Sequence, residues 1–251
     1  MRKRATDALV AGVLAAGLAV LAGIRARSLT TFAHRGFAAD APENTVPAVR
    51  GAADRADGVE IDVRRCASGE LVCVHDADVE RFTGDPIPVG ETEWTALREI
   101  EVGDGATVPR LEDVLDAVPD DVLLNVELKE RGLAADALAA VAGRERVLLS
   151  AFDPEVLEEV RAADGGDEVA LAYVTRSSRG TCSVADRFDC VAVHPRADLP
   201  FRSAIVPRAH RRGLAVNAWT VDSRLEMLAL ALVGVDGVFA DSARCLGRSR
   251  R

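Results

Sequence analysis

The chain has 251 residues, of which 49% are hydrophobic and only 4% aromatic, and its formal net charge is −9. This length suits one large α/β domain, whose core would consist mainly of Val, Leu, Ile and Ala. An acidic chain without a basic stripe argues against a nucleic-acid partner. The cysteines show no CxxC or CxxxC spacing, which favours buried thiols over a disulfide framework or a zinc site.

The first 28 residues form a separate hydrophobic segment. Residues 8–24 carry no charge and have basic residues on both sides. This run is close to the shortest membrane span, about 17 residues, and a basic start before an apolar run also resembles a signal peptide. We expect a membrane anchor first, then a cleaved signal, then a soluble extension. The protein would accordingly be membrane-associated through residues 8–24, or otherwise cytoplasmic or secreted.

Residues 29–251 are interpreted as one domain in which short apolar runs alternate with helical patterns. The predicted strands are Thr31–His34, Val59–Val63, Leu71–His75, Leu123–Leu128, Val147–Ala151, Val169–Val174, Cys190–His194, Leu214–Thr220 and Gly237–Ala240. The predicted helices are Val46–Ala56, Glu93–Ile100, Leu111–Ala117, Leu133–Ala142, Pro154–Ala163, Arg202–Arg212 and Ser223–Leu232. Such alternation predicts a parallel sheet, and eight repeats of the unit predict a closed barrel.

The run Leu71–His75 is one strand too many for that barrel. Only residues 64–70 separate it from the preceding run, whereas a parallel crossover needs about a dozen residues. It should therefore fold back as a hairpin arm, and a two-residue turn at Ser68-Gly69 would pair Asp62 with His75. The predicted fold is a TIM (β/α)₈ barrel with a β-hairpin irregularity after the second strand. Residues 76–110 then read as an insertion near the barrel mouth.

Carboxylates occur on two of the predicted barrel strands. Glu60 and Asp62 are two residues apart on one strand and therefore share a face, and Glu127 lies on the next parallel strand. Carboxylates that converge inside a barrel repel one another, and a divalent cation would relieve this repulsion. Ligands that are all oxygen favour Mg²⁺ or Ca²⁺ over zinc. The alternative is that these residues are solvated strand ends or salt-bridge partners.

Two of the four histidines lie at strand ends beside those carboxylates. His34 ends the first strand and His75 ends the hairpin arm. A pair of imidazoles can deprotonate a nucleophile and protonate a leaving alkoxide, as the cleavage of a phosphodiester requires. His210 is expected on a helix surface, and the role of His194 is left open.

Arg35 and Lys129 would add positive charge to the same mouth. Lys129 is the only lysine after residue 3, in a chain whose other basic residues are arginines. With a cation, these side chains would form a pocket suited to a phosphate group. A salt-bridge role for Lys129 remains open.

These residues together resemble the glycerophosphodiester phosphodiesterase family. The resemblance covers most of residues 31–242, and its HRG, PENT, ExD, HD and ExK motifs are specific as a set. The matching stretches are FAHRGFAADAPENTVPAV (32–49), GVEIDVRRCASGELVCVHDADVERFTG (58–84), VPRLEDVLDAV (108–118), LLNVELKE (123–130), LLSAFDPEVL (148–157), VNAWTVDS (216–223) and GVDGVFADS (234–242). The family has a barrel with the same hairpin irregularity.

The resemblance implies a role for each matching position. The implied acid/base pair is His34 and His75, the metal ligands are Glu60, Asp62 and Glu127, and the phosphate contacts are Arg35 and Lys129. Glu43 and Asn44 are similar to residues that frame the site, although PENT could simply cap the first helix. Trp219 resembles part of the substrate-pocket wall, with a core tryptophan as the alternative.

The expected activity is hydrolysis of a glycerophosphodiester to glycerol phosphate and an alcohol. A neighbouring hydroxyl of the substrate could attack first and give a cyclic phosphate, or water could attack directly. The closest alternative is a phospholipase-type lyase or lysophospholipase D on the same barrel. A non-catalytic, membrane-tethered binding protein is the alternative from another class. The oligomeric state is left undetermined.

Overall fold

The structure is a computed structural model that describes residues 15–246. Its strands are β1 (Thr30–Ala33), β2 (Gly58–Arg65), β3 (Leu71–Cys73), β4 (Glu101–Gly103), β5 (Ala106–Thr107), β6 (Leu123–Leu128), β7 (Val147–Ala151), β8 (Ala170–Thr175), β9 (Ala192–Pro195), β10 (Ala215–Ala218) and β11 (Gly237–Ala240). Within the described range, eight parallel strands form a ring in the order β1-β11-β10-β9-β8-β7-β6-β2. The pairing of β1 with β2 closes this ring, which confirms the predicted barrel.

Helices lie between the strands, as the alternation predicted. They are α1 (Val46–Ala53), α2 (Glu80–Thr83), α3 (Trp94–Leu97), α4 (Leu111–Leu115), α5 (Ala134–Val141), α6 (Pro154–Ala162), α7 (Thr181–Arg187), α8 (Leu199–Arg202), α9 (Ile205–His210) and α10 (Arg224–Val233). The predicted start of α6 is confirmed, because the side chain of Asp153 accepts a hydrogen bond from the Glu155 amide. Ser223 caps α10 in the same way.

The alternation of residues along β2 and β6 places polar groups inside the barrel. On β2, Val59, Ile61 and Val63 belong to the core between the barrel and its helices. The residues between them, Glu60 and Asp62, line a cavity inside the barrel instead. Because successive side chains of a strand point to opposite faces, apolar packing on one face holds the carboxylates on the other.

The hairpin forms, but its predicted register is wrong by one residue. Strand β3 runs antiparallel to β2 with Val63 opposite Cys73, and the Val74 amide donates to the Asp62 carbonyl. Asp62 therefore lies opposite Val74 rather than His75. The turn has three residues, since Gly69, at a φ of 101°, donates to the Cys66 carbonyl and an extra residue enters the loop. The prediction assumed a two-residue turn.

Residues 76–110 form the predicted insertion, with a small apolar cluster of their own. Val79, Val89, Leu97 and Val108 are buried together with the outer side of the hairpin at Val72. Strands β4 and β5 pair as a separate antiparallel ribbon in this segment.

Helix boundaries differ most around β9. No helix was predicted before β9, yet α7 forms there after Gly180, which adopts a φ of 73°. The sequence RSSRGTCSVADR has too few apolar residues for a visible helical stripe. The helix predicted over 202–212 is instead α8 and α9, with Ser203 in an extended conformation after α8.

The described part of the N-terminal segment is helical over residues 15–26. Ala22 and Ala26 are buried, whereas Leu18, Val20 and Ile24 are exposed. In the range that the structure describes, no helix combines the length and hydropathy that a membrane span requires. Residues 1–14 lie outside that range, so the anchor and signal expectations stay predictions.

Candidate active site

A cavity of about 200 Å³ opens at the carboxyl ends of the barrel strands. Active sites of TIM barrels lie at this end. Most of the residues predicted for the site line this cavity: His34, Arg35, Glu60, Asp62, His75, Glu127, Lys129 and Trp219. Glu43 and Asn44 are not among the lining residues, but they bind Arg35 and Asp62, which are.

Three buried carboxylates form the floor of this site. One oxygen from each of Glu60, Asp62 and Glu127 can be chosen such that all lie within 4.8 Å of one another. Glu127 joins the other two because it pairs with Asp62 across β2 and β6. Burial, reinforced by Asp62, raises the pKa of Glu60 to about 8, and the same causes raise the pKa of Glu127.

The oxygen chemistry of this cluster fits a divalent cation. Within residues 15–246, Oε1 of Glu60 is buried and has no hydrogen-bond partner. A buried polar atom without a partner is costly, and a bound cation would satisfy it. The cluster can therefore hold a divalent metal ion.

Lys129 and Arg35 balance part of the negative charge. The Lys129 ammonium lies 3.2 Å from Oδ1 of Asp62 and also contacts Oε1 of Glu127. Arg35 Nε lies 3.1 Å from Oδ2 of Asp62, although the two are not aligned as a hydrogen bond. Burial alone would raise the pKa of Asp62, but Lys129 and Arg35 outweigh it and lower the pKa to about 2. Lys129 therefore forms salt bridges, which was the alternative role considered for it. Its side chain also lines the cavity.

The PENT motif contacts two residues of the cavity wall and also caps a helix. Asn44 donates from Nδ2 to Oδ2 of Asp62 over 3.0 Å and accepts from the Asp62 amide over 3.1 Å. Glu43 accepts hydrogen bonds from Arg35 and Arg81. Thr45 caps α1 by accepting from the Ala48 amide. Glu43 and Asn44 therefore contact residues of the cavity wall, whereas Thr45 caps the helix.

We expect Asn44→Gly to lower the free energy of unfolding by about 2 kcal/mol, because it removes a buried reciprocal contact with a charged group. Glycine isolates that contact, since Asn44 has a φ of 56° and glycine adopts this conformation without strain. Urea denaturation in the presence of a chelator measures the change. The matched control is Asp104→Gly, at an exposed position with a φ of 50°, which should shift stability by less than about 0.5 kcal/mol. Equal effects of the two variants would contradict the role of Asn44.

His34 lies between two carboxylates at the end of β1. Its Nδ1 is 2.5 Å from Oδ1 of Asp241, and its Nε2 is 3.9 Å from Oε2 of Glu60. Burial lowers the pKa of this imidazole, but Glu60 and Asp241 outweigh burial, so that the pKa is raised overall.

Gly36 allows the turn after His34 to pack closely on α1, because a Cβ at this position would lie 2.9 Å from that of Ala48.

His75 follows β3 and faces the same cavity. Its Nδ1 lies 2.6 Å from Oδ1 of Asp76, which also pairs with Arg81. Burial lowers the pKa of His75, and the opposing effect of Asp62 does not outweigh it. In both histidines a carboxylate engages Nδ1, an arrangement that fixes the ring and leaves Nε2 for other contacts.

Trp219 forms part of the cavity wall rather than of the sealed core. Its indole Nε1 donates to the His194 carbonyl over 2.7 Å, and its ring meets Phe152 edge-on at 5.4 Å between centroids. Both rings line the cavity. Trp219 therefore lies in the cavity wall, and its contact with a substrate stays a prediction.

Of the remaining histidines, His194 lines the same cavity and His210 does not. His194 is buried inside the barrel, and burial lowers its pKa to about 3, so that the ring is neutral. Asn217 Nδ2 lies 3.2 Å from its Nε2. His210 lies on α9 and pairs with Asp236 at the surface, as predicted.

Sequence reasoning did not single out Asp241, Phe152 or Arg176 as site residues. Each follows directly on the carboxyl end of a barrel strand, β11, β7 and β8 respectively. Asp241 binds His34, and the other two line the cavity. Their position just past a strand end is the signal that could have found them.

Fold and site together define a class of protein. This is a TIM-barrel enzyme whose cavity combines imidazoles, a carboxylate cluster able to hold a divalent cation, and half-buried cations suited to a phosphate group.

Known proteins place the chain more narrowly. The family model of the glycerophosphoryl diester phosphodiesterase family matches residues 34–244. The chain is 27% identical over 241 residues to a glycerophosphodiester phosphodiesterase of Caldanaerobacter subterraneus, covering 85% of this chain and 94% of the relative. It is 30% identical over 232 residues to the Mycobacterium tuberculosis protein named probable glycerophosphodiester phosphodiesterase 2, covering 85% and 88% respectively.

A solved structure shows the same fold. It is a phosphodiesterase of Oleispira antarctica in complex with the product sn-glycerol-3-phosphate, and it superposes with a TM-score of 0.77. The identity is 24%, and the match covers 87% of this chain and 95% of that one. The chain belongs to the glycerophosphoryl diester phosphodiesterase family and is a phosphoric diester hydrolase.

Proposed function

We propose that the protein hydrolyses glycerophosphodiesters to glycerol phosphate and an alcohol with the help of one divalent cation, Mg²⁺ or Ca²⁺. The observation that carries this proposal is the meeting of the carboxylate cluster with His34 and His75 in one cavity. The Oleispira relative, with its bound product sn-glycerol-3-phosphate, supports a small glycerol-containing substrate.

Glu60, Asp62 and Glu127 would hold the cation, since they supply oxygen ligands from neighbouring strands. A divalent cation bound there would polarise the phosphoryl oxygens and lower the pKa of the attacking hydroxyl. Lys129 lies in the cavity wall beside the carboxylates, and Arg35 is held there by Glu43. These two side chains would bind the non-bridging oxygens of the phosphate and orient it.

The imidazoles would transfer the protons. Asp241 and Asp76 each engage Nδ1 of their histidine, so that Nε2 can accept a proton from the nucleophile or donate one to the leaving alkoxide. His34 and His75 both line the cavity, and they come from β1, which pairs with the start of β2, and from the hairpin arm, which pairs with its end. One imidazole acts as base and the other as acid. Either a substrate hydroxyl or water is the attacking group.

The test is a screen of purified protein against glycerophosphodiesters and lysolipids with Mg²⁺, Ca²⁺ or Mn²⁺. Phosphorus NMR of the products should show glycerol phosphate and a free alcohol. Accumulation of a cyclic phosphate would identify a lyase instead, and turnover of lysolipids alone would identify a lysophospholipase D. Turnover of neither substrate class with any of these cations would overturn the proposal. A His34→Ala variant that is purified in the same way controls for contaminating esterases.

A further inference from the structure

One cation in the cavity wall has no part in the chemistry proposed above. Arg176 follows β8 and is exposed, and its side chain lines the same cavity. Its guanidinium carbon lies 4.2 Å from the centre of the Phe152 ring and 5.3 Å from that of Trp219. Among the residues with described positions, no carboxylate forms an ion pair with Arg176. This differs from the other cavity cations, Arg35 and Lys129, which bind carboxylates.

Arg176 enters the cavity from a different part of the barrel than the carboxylate cluster, and the two parts meet at Phe152, since Lys129 Nζ also lies 5.7 Å from the centre of that ring. Arg176 belongs to the side of the barrel formed by β7, β8 and β10, together with Phe152 and Trp219. The carboxylate cluster and the histidines come from β1, β2, the hairpin and β6. The proposed phosphate contacts, Arg35 and Lys129, are half-buried beside that cluster. Arg176 is therefore available to a head group that extends from the phosphate towards the side of the cavity formed by β7, β8 and β10.

The Phe152 and Trp219 rings next to Arg176 affect which head groups can bind on this side of the cavity. Faces of Trp and Phe can bind a quaternary ammonium group, as a choline head group would require. Here the guanidinium already lies over both rings and would repel a second cation there. A guanidinium held over aromatic rings can still present its N–H groups to a carboxylate or phosphate.

We propose that Arg176, whose guanidinium lies over the rings of Phe152 and Trp219, forms a head-group subsite that favours glycerophosphodiesters whose head group carries a carboxylate or phosphate over those with a purely cationic one. The inference rests on the proposed function and adds the substrate class. It assigns Arg176 a role in specificity rather than in catalysis.

Glycerophosphoserine and glycerophosphoethanolamine provide a matched test, because they differ by one carboxylate. We expect the wild-type enzyme at low ionic strength to have a kcat/KM about five- to tenfold higher for the serine ester, an effect typical of a charge-assisted contact at a partly exposed site. Arg176→Gln should remove most of this preference through KM, with kcat retained. Arg176→Lys should restore part of it, and added salt should weaken it in the wild type.

Two controls separate specificity from general damage. Glycerophosphoglycerol has an uncharged head group, and Arg176→Gln should lower its kcat/KM clearly less than that of the serine ester. Arg179→Gln changes an exposed arginine of the same loop that does not line the cavity, and it should keep the wild-type preference.

The remaining outcomes are distinguishable. A serine-to-ethanolamine ratio near one in the wild type, or one that Arg176→Gln leaves unchanged, would overturn the subsite. An equal loss for all head groups would overturn it as well, since Arg176 would then serve the phosphate or the glycerol. Failure of the wild type to cleave any of these diesters would instead overturn the proposed function, and the subsite with it.

Discussion

Replacement of His34 or His75 by alanine is expected to lower kcat by about 10²- to 10⁴-fold, the usual contribution of a positioned acid or base. Both rings line the cavity, and each is held by a carboxylate at Nδ1. Without the ring, water would have to supply or remove the proton at the reacting oxygen. Steady-state kinetics on a glycerophosphodiester at saturating cation measure the loss.

The matched control is His210→Ala. His210 also contacts an aspartate, Asp236, but on the surface of α9 and outside the cavity. Its replacement should leave kcat within about twofold of wild type, as for surface changes away from a site. If either His34→Ala or His75→Ala retained near-wild-type turnover, that residue would be excluded as acid or base.

Excess EDTA is expected to abolish turnover, and Mg²⁺, Ca²⁺ or Mn²⁺ is expected to restore it, because Glu60, Asp62 and Glu127 offer oxygen ligands to a single divalent cation. A readout independent of activity is thermal stability. A cation at about 100 times its Kd should add about 2.7 kcal/mol to the free energy of unfolding. Activity that persists in excess chelator would refute the metal requirement.

The Glu60→Gln variant separates cation binding from folding. We expect it to weaken cation binding by about 100-fold or more, since changes even in residues that support metal ligands cost up to that much. In EDTA the variant should be at least as stable as wild type. Burial and Asp62 raise the pKa of Glu60 to about 8, so its negative charge does not stabilise the fold when no cation is bound. A large loss of stability in EDTA would contradict this account.

Glu112→Gln serves as the control for both readouts. Glu112 is an exposed acid on α4 that pairs with Arg110 and lies outside the cavity. Its replacement should leave cation-induced stabilisation and turnover unchanged.

The barrel could be predicted because its signals are local. The strands β6, β7 and β11 begin and end where the apolar runs do, and Asp153-Pro154 marks the start of α6. The hairpin register could not be predicted to the residue, because it depends on Gly69 adopting a positive φ and so adding a residue to the turn. Helix α7 was missed because tertiary packing, rather than an apolar stripe in the sequence, stabilises so short and polar a segment.

The candidate site was predictable in its parts. Motifs with two-residue spacing placed Glu60 with Asp62 and Glu127 with Lys129 on the inner face of their strands, and the structure agrees. The partners of these residues were not predictable. Asp241 lies 207 residues from His34 in the chain, and only the pairing of β1 with β11 brings the two together.

The amino-acid sequence alone determined the fold class, the family and the side chains available for chemistry, because strand periodicity and motif spacing act over a few residues. Only the tertiary structure decided how those side chains are held. Pairing of β2 with β6 places Asp62 beside Glu127, Asn44 binds Asp62, and the Arg176 guanidinium lies over the rings of Phe152 and Trp219. The physical reason is that burial, charge balance and ring contacts depend on which strands are neighbours. Strands that are distant in the sequence become neighbours only in the folded barrel.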